Sequence, residues 1–288
     1  MDAAPFRVRA GDRRALTRIG PADTGHLHSK ESASGHLQKG IERLDALQKL
    51  LWAQDRYSLL LIFQGMDGAG KDHVIKHVMS GVNPQGTDVH SFKQPSAEEL
   101  DHDYLWRATQ ALPSRGRIGI FNRSYYEEVL VVRVHPEVLA AQKLPAERVG
   151  RDIWKHRFED INGFERHLWR NGTIIRKFFL HVSRREQRNR LLARLDDPAK
   201  NWKFSSGDLV EREKWRAYQA AYADAIAATS QPHAPWYVIP ADYKWFSAVV
   251  VADAIVEALE ELDLAFPKPT PMQRRELRAA RRRLLRED

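Results

Sequence analysis

The sequence predicts an α/β protein in which a five-stranded parallel sheet carries helices on both faces. Five short apolar runs alternate with longer segments whose apolar residues recur at helical spacing, which is typical of parallel sheets. The first apolar run also leads through a glycine-rich turn into a helix. The predicted strands are residues 59–64, 87–92, 117–122, 173–182 and 236–240. The predicted helices are residues 37–52, 73–79, 96–110, 153–168, 184–195, 209–227 and 244–262.

The glycine-rich turn reads Gly65-Met66-Asp67-Gly68-Ala69-Gly70-Lys71-Asp72. A strand, a turn of this kind and a helix are the context of a P-loop, whose backbone N–H groups surround phosphate. We expect the N–H groups of Gly68, Ala69, Gly70 and Lys71 to point into one concavity, with Lys71 adding a mobile positive charge. The alternative is a glycine turn without a ligand, which the spacing and the flanking periodicity disfavour.

Two aspartates of this turn are candidates for metal binding. Asp72 stands where a P-loop usually has the Ser or Thr that binds Mg²⁺. A carboxylate there can still reach a hydrated ion, and Asp67, inside the loop, is a second candidate. The metal site is therefore expected to be built from carboxylates.

Composition limits the classes of protein. The 288 residues, 43% of them hydrophobic, suffice for one large α/β domain or two small ones. Without cysteine there are no disulfides, thiolate metal sites or cysteine nucleophiles. No apolar run is long enough to span a bilayer and no signal-peptide core begins the chain, so we expect a cytoplasmic protein. The net charge of +8 suits nucleic acid, a membrane surface or a phosphate polymer, or reflects only a basic surface.

The third predicted strand ends in polar residues, at the sheet edge where parallel sheets bind ligands. Asn122 takes the place of an aspartate that holds Mg²⁺ in related kinases, and is a neutral oxygen donor. Arg123 comes next and can clamp a phosphate through two hydrogen bonds. The alternative is a strand end capped by polar side chains.

Basic residues are concentrated in residues 184–203 and 274–286. In the first segment Arg190 and Arg194 share a helix face, and Lys200 and Lys203 follow on a loop. Such a segment forms a lid in nucleotide kinases, but a solvated charged face is the alternative. For the second segment we expect a solvated or docked amphipathic helix rather than a nucleic-acid site.

Five segments of the chain together resemble the polyphosphate kinase 2 family of P-loop phosphotransferases. They are residues 65–72, 81–86, 121–127, 195–203 and 234–240, and they span about residues 41–267. The resemblance implies a thymidylate-kinase-like core with a helical lid, and phosphoryl transfer between polyphosphate and nucleotides with Mg²⁺. It also implies that the aspartate at position 72 is a family trait. Asn122, together with Glu128 after the tyrosine pair, resembles the branch that accepts both AMP and ADP.

On this reading Lys71 and the loop N–H groups bind the transferred phosphate, and Asp67 with Asn122 holds Mg²⁺, which Mn²⁺ can replace. Asp72 and Glu128 complete the predicted phosphate and nucleotide contacts, and Arg123 steadies the phosphates of nucleotide or polymer. Transfer is in line and needs no covalent intermediate. The side chains expected to close over the phosphates from the lid are Arg190, Arg194, Lys200 and Lys203.

The predicted organisation is an extended arm over residues 1–35, a kinase domain over 36–267 with a lid at about 184–208, and a basic helix over 268–288. The expected partners are polyphosphate and adenine or guanine nucleotides, without nucleic acid or membrane, in a homodimer or homotetramer. Two rival functions remain at this stage. One is an ATP-dependent nucleotide or nucleoside kinase, and the other is a nucleic-acid-binding protein with a degenerate P-loop.

Overall fold

The computed structural model of the chain, which describes residues 2–287, contains one five-stranded sheet. All of its pairings are parallel, and the strand order β2-β3-β1-β4-β5 places β1 at the centre. The predicted parallel sheet is therefore confirmed. The strands are Ser58–Gln64 (β1), Thr87–Ser91 (β2), Ile118–Asn122 (β3), Thr173–His181 (β4) and Trp236–Pro240 (β5).

Helices cover both faces of the sheet, as predicted. α12 packs on α2, α3, β4 and β5, whereas α8 packs on β4 and on α11. None of the helices in residues 2–287 is long and apolar enough to cross a membrane. The α-helices are Ala15–Arg18 (α1), Lys30–Gln54 (α2), Lys71–Val78 (α3), Ala97–Asp101 (α4), Trp106–Gln110 (α5), Val131–Val134 (α6), Pro136–Ala141 (α7), Ile153–Arg170 (α8), Arg184–Leu195 (α9), Gly207–Glu213 (α10), Trp215–Thr229 (α11), Lys244–Glu260 (α12) and Pro271–Leu284 (α13). Short 3₁₀ helices occur at Ala4–Phe6, Pro84–Gly86, Tyr125–Val129, Ala146–Arg148 and Asn201–Lys203.

β1 shows why the sheet forms where the sequence places it. All seven of its residues are buried, since a central parallel strand is covered by helices on both faces. Its sequence, SLLLIFQ, is accordingly a continuous apolar run rather than an alternating one. This burial fixes the end of β1, and therefore the start of the glycine loop, relative to the whole core.

The N-terminal segment differs from the extended arm predicted for residues 1–35. α2 begins at Lys30, because the Ser29 hydroxyl caps it by accepting a hydrogen bond from the N–H of Ser32. The residues before it are packed on the domain: the N–H of Val8 donates to the carbonyl of Trp236 in β5, and Phe6 is buried. The arm therefore covers the exposed edge of the sheet.

Two predicted helices are each divided in the structure. The helix predicted over residues 96–110 is interrupted at His102, which is extended, and the Asp103 carboxylate accepts from the N–H of Leu105. The helix predicted over residues 209–227 forms two helices, α10 and α11, that meet at Lys214. A local side-chain hydrogen bond like that of Asp103 competes with helix continuation, and apolar periodicity does not reveal it.

Candidate active site

The glycine loop connects the buried end of β1 to α3 at the carboxyl edge of the sheet. Gly65 has a φ of 157°, and a Cβ there would lie 3.1 Å from the carbonyl oxygen of Leu180. Gly70, with a φ of 103°, is the N-cap of α3. Both positions require glycine, because an L side chain rarely adopts these angles. The loop therefore presents the N-terminus of α3 to the space beyond the strands.

Lys71, the first residue of α3, lies over its own loop. Its Nζ donates a 2.7 Å hydrogen bond to the carbonyl of Gly65. Burial lowers the pKa of this ammonium from its usual value, and the neighbouring Asp67 carboxylate acts in the opposite direction. The predicted phosphate-binding lysine is thus desolvated, which strengthens its electrostatic interactions.

The four residues expected around the metal and the phosphates form two pairs. An Nη of Arg123 donates to Oδ1 of Asp67 over 2.8 Å, and Nδ2 of Asn122 donates to Oδ1 of Asp72 over 2.7 Å. These pairs join the glycine loop to the end of β3, the neighbouring strand. Arg123 has a φ of 65°, an uncommon conformation for a side chain other than glycine. Such strain is concentrated at functional sites.

The acidic residues fit a hydrated ion better than an ion enclosed by protein. No group of three or more His, Cys, Asp or Glu side chains in the described part of the chain is arranged to hold a metal. Mg²⁺ is commonly held by one or two carboxylates, with waters and substrate phosphates supplying the other ligands. Asp67 and Asp72 meet that requirement. The amide of Asn122 directs its nitrogen to Asp72, so its oxygen is the atom left to serve as a ligand.

The first half of α9 supports the back of the glycine loop. Nε2 of Gln187 donates to the carbonyl of Asp67 over 2.8 Å. One Nη of Arg190 donates to the carbonyls of Gly68 and Ala69 at 2.9 and 2.8 Å. Because α9 bonds these carbonyls, the conformation of the loop is stabilised. The N–H of Ala69 donates to the carbonyl of Met66 within the loop, so Ala69 does not present the free N–H group that the sequence predicted.

Arg190 makes further contacts on the same side. Its other Nη donates to the carbonyls of Ala241 and Asp242, and its Nε donates to Glu186. The side chain is 9% exposed. The structure therefore brings Arg190 to the site, as predicted, but all three of its guanidinium nitrogens are engaged with protein.

The second half of the basic segment is more open. Arg194 donates from one Nη to Oδ2 of Asp208 over 3.2 Å, and its side chain is 23% exposed. Lys200 and Lys203 are exposed; Lys200 pairs with Asp197 and Lys203 lies over the Trp202 ring. Burial raises the pKa of Asp208, and the nearby Asp67 carboxylate acts in the same direction. Asp208 therefore lies near the glycine loop while it holds Arg194.

All the site residues predicted from the sequence, except Ala69 and Glu128, line one cavity of about 750 Å³. Nine Lys and Arg side chains face two carboxylates in its lining. His73 is also there, and burial, with His77 and Lys244 nearby, lowers its pKa to about 4, so it is neutral at neutral pH. The nine basic residues are Lys71, Lys76, Lys93, Arg123, Arg190, Arg194, Lys200, Lys203 and Lys244.

Sequence reasoning missed three of these cations, Lys76, Lys93 and Lys244. Lys93 follows β2 by two residues and Lys244 follows β5 by four, so both lie beyond carboxyl ends of strands. Parallel sheets bind ligands beyond the carboxyl ends of their strands, so the positions of these two lysines after β2 and β5 are the signal in the sequence that identifies them.

Glu128 is not among the residues that line the cavity. Its carboxylate accepts from Arg157 over 3.1 Å and from Gln142 over 2.7 Å, and both members of the Arg157 pair are buried. The preceding residue, Glu127, is the acid that interacts with Lys71 and Arg123. Burial raises the pKa of Glu127, and the charges of Arg123 and Lys71 oppose that rise.

A glycine loop at the end of a central parallel strand, a desolvated lysine and a basic cavity with two carboxylates define a P-loop phosphotransferase. The family model described as polyphosphate kinase 2 matches residues 27–267. The chain belongs to the polyphosphate kinase 2 family.

Individual relatives agree with that assignment. The ADP-polyphosphate phosphotransferase of Rhodopseudomonas palustris is 50% identical, and the alignment covers 97% of each chain. The AMP/ADP-polyphosphate phosphotransferase of Meiothermus ruber is 45% identical over 92% of this chain and 95% of its own. The crystal structure of polyphosphate kinase 2 from Arthrobacter aurescens superposes with a TM-score of 0.88 at 38% identity, covering 100% of this chain and 98% of that one.

Proposed function

We propose that the protein transfers phosphoryl groups between inorganic polyphosphate and adenine nucleotides, converting ADP to ATP and also AMP to ADP. The observation that carries this proposal is the excess of nine basic side chains over two carboxylates around a phosphate loop. A nucleotide and a phosphate chain are both polyanions, and binding them side by side requires such an excess. The names of the two relatives describe the same chemistry, one with ADP and the other with AMP and ADP.

The sheet topology supports separate positions in the cavity for the two substrates. β2 and β5 are the two edges of the sheet, so Lys93 and Lys244 lie on opposite sides of the glycine loop at the end of β1. The β5 side carries the greater charge, because it also has Arg194, Lys200 and Lys203. We assign the phosphate chain to the β5 side and the nucleotide to the β2 side, so that their phosphates meet over Lys71.

The transfer itself needs positioning and charge rather than covalent chemistry. Lys71 and the loop N–H groups bind the phosphoryl group in transit, where negative charge spreads over its oxygens. Arg123, held by Asp67 at the end of β3, steadies the adjoining phosphate. Arg194 approaches from the end of α9. No residue is required to form a phospho-enzyme, because donor and acceptor oxygens can align directly.

A divalent ion, Mg²⁺ or Mn²⁺, fits beside these groups. Asp67, Asp72 and the side-chain oxygen of Asn122 are the residues that would hold it, together with water and substrate phosphates. When bound, the ion neutralises phosphate charge. Asp67 and Asp72 orient Arg123 and Asn122 through their hydrogen bonds.

A donor comparison tests the proposal. The full-length protein is incubated with Mg²⁺ and either polyphosphate plus ADP, polyphosphate plus AMP, or ATP plus a nucleoside or AMP, and the nucleotides are separated by ion-exchange chromatography. We expect ATP from polyphosphate and ADP, and ADP from polyphosphate and AMP. Product formed only when ATP is the donor would contradict the proposal and favour an ordinary nucleotide or nucleoside kinase.

A further inference from the structure

The C-terminal helix α13 (Pro271–Leu284) stands apart from the core. None of its residues is buried, and residues 265–287 are exposed throughout. Its start is nevertheless encoded locally, by Pro271 at the first position and a capping box between Thr270 and Gln273. The match to the family model ends at residue 267, before this helix begins.

The charge of this segment is one-sided. Residues 271–287 contain seven arginines and two glutamates, a net charge of +5 in a chain whose total is +8. Among the described residues of this segment there is one ion pair, between Arg283 and Glu287, which is exposed and 3.9 Å long. Three pairs of arginines stand at i,i+4 spacing, 274/278, 278/282 and 282/286, and like charges at that spacing destabilise a helix.

The arginines form a continuous stripe. Arg275, Arg278 and Arg282 are spaced by three and four residues, so α13, at 3.6 residues per turn, places them on one face. These three span about 10 Å at 1.5 Å per residue, and Arg286 follows in the turn that ends the helix. The four together are called the arginine face of α13. The opposite face carries Leu277 and Leu284, with Ala280 between them. Three arginines on one helix face and a fourth in the turn after it are therefore exposed to solvent.

A linear chain of phosphates is the ligand that this stripe fits. Guanidinium groups bind phosphate oxygens through two parallel hydrogen bonds, and a row of them needs a repeating anion. Residues 267–287 contain no Trp, Tyr, Phe or His. Proteins that bind single-stranded nucleic acid stack its bases on aromatic side chains, so nucleic acid fits this face less well. Interfacial membrane helices bury a face of Trp, Phe and Leu, whereas the opposite face of α13 offers two leucines, an alanine and no aromatic residue.

We propose that the arginine face of α13 is a second polyphosphate-binding surface, which holds the substrate chain outside the reaction cavity. This inference rests on the proposed function, since it takes polyphosphate as the substrate. A chain bound at both places reaches the cavity at a raised effective concentration, provided that it is long enough to span the two sites. The surface therefore acts on the capture of long chains and not on the chemical step.

The test is a set of full-length variants with matched charge changes. In the first, Arg275, Arg278, Arg282 and Arg286 are all replaced by Gln; in the second, the same four are replaced by Lys. The control variant replaces four exposed cations elsewhere by Gln and so changes the net charge equally: Arg14, Lys39, Arg166 and Arg170. KM and kcat are measured with ADP and either long-chain polyphosphate or a chain of a few phosphates.

We expect the Gln variant to raise the KM for long chains by about fivefold or more, with kcat and the short-chain KM unchanged. The Lys variant should keep most of the wild-type affinity for long polyphosphate. The control variant should change the long-chain KM by less than about twofold, since exposed charges far from the bound polyphosphate are screened. An unchanged long-chain KM in the Gln variant would overturn the inference, as would an equal rise in the control.

A binding measurement separates this inference from the proposed function. Labelled long-chain polyphosphate is titrated into the Lys71→Ala protein with and without the four Gln substitutions, so that no turnover is needed. Weaker binding in the substituted protein supports the inference even if the wild type makes no ATP. Equal loss of binding to single-stranded DNA or to phosphatidylserine vesicles would make the face a general anion site and overturn the assignment. If the four Gln substitutions change the molecular mass of the protein in light scattering, α13 forms a contact between copies of this chain, and the inference is overturned.

Discussion

Arg190 and Arg194 lie four residues apart on α9, and their surroundings differ. Arg190 donates to four backbone carbonyls and to Glu186, and two of those carbonyls belong to the glycine loop. Arg194 has one carboxylate partner, Asp208, at the start of a more open segment. One arginine is therefore bound to the glycine loop, whereas the other is held by a single carboxylate beside the cavity. We propose that Arg190 supports the site and that Arg194 acts on the phosphates.

The largest effect is expected from Lys71, which we propose binds the transferred phosphate. Lys71→Ala should abolish transfer while the protein stays folded, because Lys71 donates its hydrogen bond to a backbone carbonyl, that of Gly65, and Arg123 remains as the positive charge beside Glu127. Product formation and circular dichroism are the measurements. Near-normal turnover would show that Lys71 has no part in the mechanism. The loss of turnover in this variant is the reference against which the losses in the Arg190 and Arg194 variants are compared.

Asp67 is bonded from two sides of the site. Its carboxylate accepts from Arg123 at the end of β3, and its carbonyl accepts from Gln187 on α9, the helix of the two compared arginines. Asp67→Asn leaves the backbone contact and removes the charge, so the rate should fall by about a hundredfold, the scale of losing one charge-stabilising group. The rate is followed against Mg²⁺ concentration. Partial recovery at high Mg²⁺ is expected if Asp67 binds the metal, and impairment that is independent of Mg²⁺ assigns the carboxylate to orienting Arg123.

Replacement by lysine tests directly whether Arg190 and Arg194 have different roles. A lysine at position 190 keeps the charge but cannot reach four carbonyls in the geometry of a guanidinium. Arg190→Lys should therefore lower kcat by about 10- to 100-fold, the scale of a slightly misplaced catalytic group. It should also lower the thermal midpoint. A variant with normal kcat and midpoint would show that the contacts of Arg190 do not shape the loop.

Arg194 should respond differently. Arg194→Ala should lower kcat more than it raises the KM for nucleotide, because the charge acts where the transition state is most negative. Arg194→Lys should recover part of the loss, since a point charge suffices there. If the Ala variant instead raises only the KM for polyphosphate and loses its effect at high salt, Arg194 gathers the polymer and does not act on the reacting phosphate.

Glu127 and Glu128 form a second pair of neighbours to compare, and their replacement should affect activity less than replacement of the arginines. Glu128→Gln breaks the buried pair with Arg157, so it should cost about 3 kcal/mol of unfolding free energy while the folded protein keeps its activity. Glu127→Gln, beside Lys71 and Arg123, should lower activity with little loss of stability. Urea unfolding and product assays compare the two. The reverse pattern would return Glu128 to the substrate site, where the sequence placed it.

The sequence predicts those parts of this protein whose structure follows from local pattern. β5 and α9 have the predicted boundaries, and the glycine loop follows β1 as expected, because apolar runs and glycines act over a few residues. The breaks at His102 and Lys214 were missed, since they depend on individual backbone and side-chain hydrogen bonds. The packing of the N-terminal arm was missed because its partner, β5, is more than 200 residues away.

The site was predicted to a similar degree. Asp67, Lys71, Asn122 and Arg123 are brought together as expected, since they follow neighbouring strands of one parallel sheet. Spacing on a helix indicated that Arg190 and Arg194 share a face, but it carries no information about which one meets backbone carbonyls. The choice between Glu127 and Glu128 depends on the rotation of a short 3₁₀ helix, which sequence alone does not fix.

The division of labour along α9 is tested most directly by the backbone amide NMR signals of Gly68, Ala69 and Gly70. These are recorded for the wild type, Arg190→Lys and Arg194→Lys without substrate, and then with tripolyphosphate. We expect Arg190→Lys to shift the loop signals before any ligand is added, and Arg194→Lys to leave them in place and change only the response to tripolyphosphate. Identical loop spectra for the two variants, with equal losses of activity, would contradict the assignment of one arginine to the loop and the other to the phosphates.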